Sequence, residues 1–481
     1  MGFKYNIPEY KILHDPELQV IHGTSLDILE NIGVKIANKE ILERLDGAGA
    51  VIDKKTQTVK LPGQLVLDSI ERSGKKHILY GRDRDKKAEF GYDMFNFNGS
   101  SGQYQIVDQE TLKRRNPTVE DLKKAIAIGG SLDNINMVGA MVVPSDVSFK
   151  ISDIITFYHL LALTDKPFTG WVFSGSSAKI IIEMMEIMAG GREELKSYPF
   201  YEVFIEPVSP LTFRDESLEI LLAFAQKGLP VGFSPMVQVG ATGPCSIAGT
   251  LALENAEILS GITIAQLINP GLPVSYGGIP HIFDMKAQMI SFGSPEQAVM
   301  AAAMTQIGRY YGFPVYNNTG MSDSKCIDAQ YGIEASSTLA YGTLARGDIF
   351  GHLGICGADN AANLTKLIID NELAGSFIKI LSGFDIIEAG DAYKEIEREG
   401  AGGNFLGNEM TLKNFREIIW YPDLFDRTPW DTWKKNGAKS TVSRAMEKEK
   451  ELFKRYEPLP VSSEKLNEIN RLLKSYNIDF K

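Results

Sequence analysis

Three cysteines in 481 residues, Cys245, Cys326 and Cys356, are too few and too scattered to build a disulfide framework, and they suit a reducing compartment. Together with His281 and His352 they match no zinc spacing, since no C-x2-C pair occurs, and no tightly bound metal is expected. Positive charge is also short. Fifty Lys and Arg against 61 Asp and Glu leave a net charge of −11, which argues against a nucleic-acid backbone or an anionic membrane as partner. No segment approaches the ~20 uninterrupted apolar residues of a membrane span. The leading MGFKYNIPEY has no apolar signal-peptide core, and Asn6 stands where myristoylation needs Ser or Thr. The expectation is a cytoplasmic protein.

What remains is an ordinary globular composition, 44% hydrophobic and 23% charged, able to bury a large core. From Pro16 to about Arg72 the apolar residues recur at helical spacing: Val20, Leu26, Leu29 and Ile32 share one face and Gly33 is a stop. After Gly91 short β-rich runs alternate with helix-length segments. Eight such runs begin at Met94, Asn134, Lys166, Pro199, Leu229, Leu272, Phe313 and Asp348. Between them lie amphipathic or apolar stretches such as SAKIIIEMMEIMAGG and DESLEILLAFAQKG, several ending on Gly before a Pro-initiated strand. Eightfold β then α alternation, with strands apolar on both faces, predicts an α/β chain folded as a (β/α)8 TIM barrel. A doubly wound sheet is the alternative, but no GxGxxG turn with a downstream acid follows the early strands. The expected organisation is a helical N-terminal region over 1–90, the barrel over 91–400, and a helical C-terminal extension over 401–481 packed on the barrel. The extension carries Trp420, Trp430 and Trp433, aromatics that suit packing or self-association.

In such a barrel the loops after the strands converge on one face, and that face carries chemistry. The stretch VYNNTGMSDSKCIDAQYGIE runs from a strand straight into small polar residues, with Gly320 for a tight turn and Ser322, Asp323 and Ser324 able to cap a helix. NGSSGQY, VPSD, FSGSS, EPVSP, GATGPCS, GGIP and GICGADN follow the other strands. Small polar residues therefore ring a wide mouth, as a site that admits a second bulky body would require.

Several longer segments carry a resemblance. IHGTSLDILENIGVKI and LDGAGAVID near the start, SDSKCIDAQYGIE in the middle, and GNFLGNEMTLKNFR with WYPDLFDR near the end resemble the trimethylamine methyltransferase family, in its non-pyrrolysine branch that demethylates quaternary amines. The resemblance implies a barrel enzyme that moves a methyl group from an amine to the cob(I)alamin of a separate corrinoid protein. Two departures stand out: every residue is one of the ordinary twenty, and Asn408, Met410 and Asn414 occupy positions where the family has histidines.

A quaternary ammonium loses a methyl as a neutral tertiary amine, so no general acid is needed and the site should be a box for a cation. Aromatic faces and a carboxylate make such a box. One of Phe95 and Phe97, one of Trp171 and Phe173, and Tyr276 stand near strand ends, with Phe97 and Trp171 preferred. Glu206 ends an otherwise apolar strand and, if buried, needs a partner, which a cationic substrate, an Arg or Lys of the chain, or donors of the SPL turn would provide. For a betaine's carboxylate, Gln238, Asn317 and His352 can donate hydrogen bonds. Gly99, Ser100, Gly243, Gly320 and Ser322 are the expected contacts of the incoming corrinoid. Three other readings compete: a zinc-dependent corrinoid methyltransferase, a phosphate-binding barrel lyase using GICGADNAA with Asp359 as a helix cap, and a betaine-binding protein without catalysis.

Overall fold

A computed structural model of the chain describes residues 2–386 and 388–479. Its backbone is an α/β fold in which each of the eight β-rich runs holds a strand: β1 Met94–Gly99, β2 Val138–Gly139, β3 Phe168–Thr169, β4 Val203–Ile205, β5 Val231–Phe233, β6 Val274–Gly277, β7 Val315–Asn318 and β8 Ile349–Leu353. Strands β4, β5, β6, β7, β8 and β1 are successive parallel neighbours in one sheet. Strands β2 and β3 form a separate parallel pair. Asn98 bridges to Met137 just ahead of β2. Phe168 N of β3 donates to Phe200 O ahead of β4 at 3.4 Å.

β2 is far shorter than its apolar run because its backbone is pressed against β1. A Cβ on Gly139 would lie 2.3 Å from the Gly99 carbonyl carbon, and two residues later Met141 takes a φ of 63°.

A helix follows each strand: Val119–Ser131, Phe149–Leu163, Gly175–Ala189, Asp215–Lys227, Ile247–Ile268, Pro295–Tyr310, Ala329–Leu344 and Leu364–Leu381. Thr118, Ser174, Ser246, Ser294, Asp328 and Asn363 cap their helices through side-chain oxygens. Among the described residues one helix, Ile247–Ile268, is long and apolar enough to cross a membrane, but 89% of its apolar window is buried inside the protein. It also carries Glu254, Asn255, Glu257 and Gln266, all buried and hydrogen-bonded to neighbouring loops and strands.

The N-terminal region is less purely helical than expected. Between the helices Asp15–Asp27, Lys39–Gly47 and Gly63–Arg72 lie the strands Val34–Ile36, Val51–Asp53 and Thr58–Lys60. Gly33, at φ 84°, ends the first helical segment; a Cβ there would meet Val59 O at 2.5 Å, so only glycine lets the chain enter the small sheet. That sheet takes Thr212–Phe213 as a fourth strand, parallel to Val34–Ile36. Residues far apart in sequence thereby clamp the loop that follows β4. At the other end, Thr441–Arg455 and Ser463–Ser475 bury Ala445, Ile469 and Leu473. Lys124 pairs with Glu449 at 2.6 Å, and the Tyr456 hydroxyl donates to Leu163 O at 2.9 Å.

Candidate active site

The carboxyl ends of the strands surround a narrow inner pocket of about 20 Å³, room for a single water, and an open outer cleft of about 650 Å³. Trp171, Phe204 and Glu206 belong to both walls. The inner pocket is therefore the floor of the cleft.

Glu206 follows β4 and is exposed to the cleft. Protein packed behind the carboxyl, with the Asp359 carboxyl nearby, pushes its pKa up to about 7. Water in the open cleft screens part of that effect, and a ligand that displaces the water restores it. Asp359 comes from the loop after β8 at a φ of 63°, and burial raises its carboxyl to about 6. Gln103 Nε2 holds it at 2.7 Å and also donates to Ser100 Oγ at 3.0 Å. Neither carboxylate meets a cation among the described residues, although both sit within reach of each other's charge. Two such groups face one space, and a positive ligand would satisfy both.

Aromatic rings wall the same space, and each is fixed by a hydrogen bond or a packed neighbour. Trp171 Nε1 donates to Gly102 O at 2.9 Å. Asp153 Oδ2 accepts from Phe173 N at 2.9 Å, and Phe173 stacks on Phe149 at 4.8 Å. Phe204 lies 4.9 Å from Tyr316, whose hydroxyl donates to Asn318 Oδ1 at 2.6 Å. His352 meets Trp171 edge-on at 5.9 Å. Burial lowers the His352 pKa to about 4, so its imidazole is neutral and does not repel a cation.

The loop from Glu206 to Arg214 is braced from below. Glu257 accepts from Ser209 Oγ at 2.7 Å and from Leu211 N at 2.6 Å, and burial raises its carboxyl to about 7. Val208 and Thr212 exchange backbone hydrogen bonds. Arg214 also lines the cleft and gives its helix no side-chain cap.

Of the seven residues expected to bind substrate, Trp171, Glu206 and His352 lie in the wall of the inner pocket. The other four do not. Phe97 packs between Phe95 and Phe350, away from the pocket, and its neighbour Asn98 faces in. Phe95 and Phe97, two residues apart, share a face, so neither could have served. Tyr276 turns toward the helix Ile247–Ile268 and donates to Asn255 Oδ1 at 2.9 Å. Asn317 points at the helix Pro295–Tyr310, donating to Thr305 Oγ1 at 3.1 Å, which leaves Tyr316 to face inward. Gln238 belongs to a two-residue strand paired with His281–Asp284 and lines neither space.

The five residues expected to meet a corrinoid also lie outside both walls. Gly99 allows the close β1–β2 approach and Ser100 positions Gln103. Gly243 turns beneath Val237, where a Cβ would lie 2.6 Å from Val237 Cγ1. Gly320 takes φ 85°, and Ser322 Oγ donates to Glu334 Oε2 at 2.7 Å. Asp323 is not a helix cap: it accepts from Ser291 Oγ and Phe292 N, and Asp328 caps the helix instead. Asp359 likewise leaves capping to Asn363.

Gln103, Phe204, Arg214, Tyr316 and Asp359 are among the lining residues that the sequence did not single out for substrate. Phe204 was legible, because it shares the parity of Glu206 along β4. Among the described residues no group of three His, Cys, Asp or Glu is placed to hold a metal ion.

The trimethylamine methyltransferase (MTTB) family profile matches residues 2–475. The glycine betaine methyltransferase of Desulfitobacterium hafniense (strain Y51) is 32% identical over 454 residues, covering 94% of each chain. The trimethylamine methyltransferase MttB of Desulfitobacterium hafniense (strain DSM 10664 / DCB-2) is 30% identical over 447 residues, covering 93% of this chain and 90% of that one. The crystal structure of the Methanosarcina barkeri monomethylamine methyltransferase (MtmB) superposes with a TM-score of 0.48 at 12% identity, covering 93% of this chain and 96% of that chain.

Proposed function

Starting from a chain that belongs to the trimethylamine methyltransferase family, and is by that membership a methyltransferase, we propose that it takes a methyl group from a carboxylated quaternary amine, such as glycine betaine or proline betaine, and passes it to a separate corrinoid protein. One observation carries the reading: the Glu206 and Asp359 carboxylates, without a cationic partner among the described residues, face a cleft walled by Trp171, Phe173 and Phe204. A quaternary ammonium has no N–H to donate, so recognition rests on Coulomb attraction and ring faces, which this wall supplies.

The scaffold belongs to the same proposal. The parallel order from β4 round to β1, the β2–β3 pair, and the contacts Asn98–Met137 and Phe168–Phe200 support a closed (β/α)8 barrel over 91–400, with the segments 1–90 and 401–481 as additions. In that frame the cleft is the barrel mouth.

Loss of a methyl from a quaternary nitrogen leaves a neutral tertiary amine, so no proton moves at the leaving atom. The chain's task is then to hold the cation on the floor, turn one methyl toward the open side and keep water from the carboxylates. Cob(I)alamin, presented by its carrier, supplies the nucleophile that accepts the methyl. The exposed rings of Tyr104 and Phe149 and the side chain of Val208, at or beside the open edge of the cleft, would meet such a cofactor and give it an apolar contact.

A phosphate-binding lyase does not suit this cleft, because Asp359, in the loop that would cradle the phosphate, joins Glu206 in making it negative. The reading is tested by incubating the protein with reduced corrinoid protein and a panel of quaternary amines, following conversion of cob(I)alamin to methylcobalamin. Carboxylated betaines are expected to be productive; trimethylamine as the sole productive substrate overturns the proposal.

A further inference from the structure

The reading above assigns a partner to the ammonium end of the substrate and none to its carboxylate. Gln238 and Asn317 lie elsewhere, and His352, neutral and packed among Trp171 and Tyr316 on the floor, sits where the cation goes. Arg214 is different. Its residue lines the same cleft as Glu206 and Asp359, and its guanidinium enters no ion pair or hydrogen bond with any described residue. An exposed guanidinium with no protein partner keeps all its donors for a ligand carboxylate that enters the cleft. Glu216 faces the cleft as well and still does not capture it.

The backbone under Arg214 is held on three sides. Thr212 and Phe213 pair with Lys35 and Ile36. Asp215 Oδ1 accepts from Asn38 Nδ2 at 2.8 Å. Ser209 and Leu211, earlier in the loop, are tied to the buried Glu257. Glu206 and Arg214 are thus the two ends of one braced loop, carrying opposite charges into one cleft.

We propose, resting on the quaternary-amine reading, that Arg214 binds the carboxylate of the betaine, so that a cleft lined by both Glu206 and Arg214 favours zwitterions over simple quaternary ammonium ions. The planar guanidinium offers two parallel N–H donors to a carboxylate, and the cation site orients the methyl. A substrate lacking the carboxylate leaves Arg214 merely solvated, so discrimination comes from added affinity for the zwitterion.

The test uses the full chain with its corrinoid carrier and the variants Arg214→Gln and Arg214→Lys. Arg214 is exposed and makes no side-chain cap, so both variants are expected to fold with unchanged melting temperature. In Arg214→Gln, KM for glycine betaine is expected to rise about tenfold or more with kcat changed less than about threefold, as the loss of a charge-assisted pair requires. Lys should recover part of the loss. Calorimetric affinity for tetramethylammonium should not change. Equal glycine betaine KM in wild type and Arg214→Gln overturns the assignment, and so does a variant whose KM rises for the corrinoid protein and not for the amine. If the wild type neither binds nor demethylates any carboxylated betaine, the underlying functional reading fails instead, and the two failures are told apart by the wild-type measurement alone.

Discussion

Two loops at the strand ends make an instructive pair. The one after β7, residues 319–328, is rich in hydrogen-bonding side chains and spends them on itself and on the protein packed around it. Thr319 bonds to Asn317, Ser322 to Glu334, Asp323 to Ser291 and Phe292, and Ser324 to Asp328. The one after β4, residues 206–214, looks plainer in sequence, yet it delivers Glu206 and Arg214 to the cleft without protein partners. Polar composition marks a loop that needs internal bonds to hold its shape. Unspent charge, held in place by a frame that gains nothing from it, marks a binding surface.

The sharpest way to break this contrast is to neutralise Glu206. Two unit charges about 5 Å apart attract by about 3 kcal/mol at an effective dielectric near 20. After solvent compensation, Glu206→Gln is expected to raise KM for a betaine by about 10- to 100-fold. Thermal stability should stay level or rise slightly, since burial already disfavours the charge that is removed. A stability loss with KM unchanged would reverse the roles assigned to the two loops.

Proton concentration probes the same carboxylates without mutation. A cation binds the ionised form, and both carboxyls are held above the ordinary range, Asp359 by burial to about 6 and Glu206 toward about 7 as water leaves the cleft. Affinity should therefore be weak in acid and rise as pH climbs through that interval, with KM falling up to about tenfold between pH 6 and 8. In Glu206→Gln the remaining slope should be smaller and centred lower, near the Asp359 value. A flat KM across that range would remove the carboxylates from recognition. On the aromatic side, Trp171→Phe loses ring area and the bond to Gly102 O, and about 0.5–1.5 kcal/mol of cation–π attraction predicts a KM rise of about 3- to 10-fold.

Much of the scaffold was legible because it depends on patterns that repeat: all eight β-rich runs contain a strand, and helices follow them where apolar stretches and glycine stops foretold. The facing of individual side chains was harder. Strands covered on both faces, as in a parallel sheet, carry no polar alternation to fix which residues look inward. Tyr276 and Asn317 were misplaced for that reason, whereas Glu206, a charge on an apolar strand, announced its own side. Glycine and serine were misread differently. Gly99 and Gly139 let two strands touch, and Gly320 turns the chain at φ 85°, so they answer packing needs that composition cannot separate from an open mouth. Arg214 was illegible because its place depends on Val34–Ile36, a strand almost 180 residues upstream.

The smallest kinetic effect is expected in the β7 loop itself. Asp323 is half-buried and accepts from Ser291 Oγ and from Phe292 N, the latter at 2.7 Å, so it fastens this loop to the chain ahead of the helix Pro295–Tyr310. Asp323→Asn keeps an oxygen for one donor and turns an amide against the other, costing about 1–2 kcal/mol of stability as a charge-assisted bond is lost. Because the carboxylate is bound to the neighbouring segment and lines neither the pocket nor the cleft, KM for the amine should move less than about twofold. Chemical denaturation measured beside steady-state kinetics separates the two quantities. Were Asp323→Asn to weaken amine binding as strongly as Glu206→Gln, hydrogen bonds already satisfied inside the protein would have to count as functional, and the distinction between spent and unspent polar groups would lose its force.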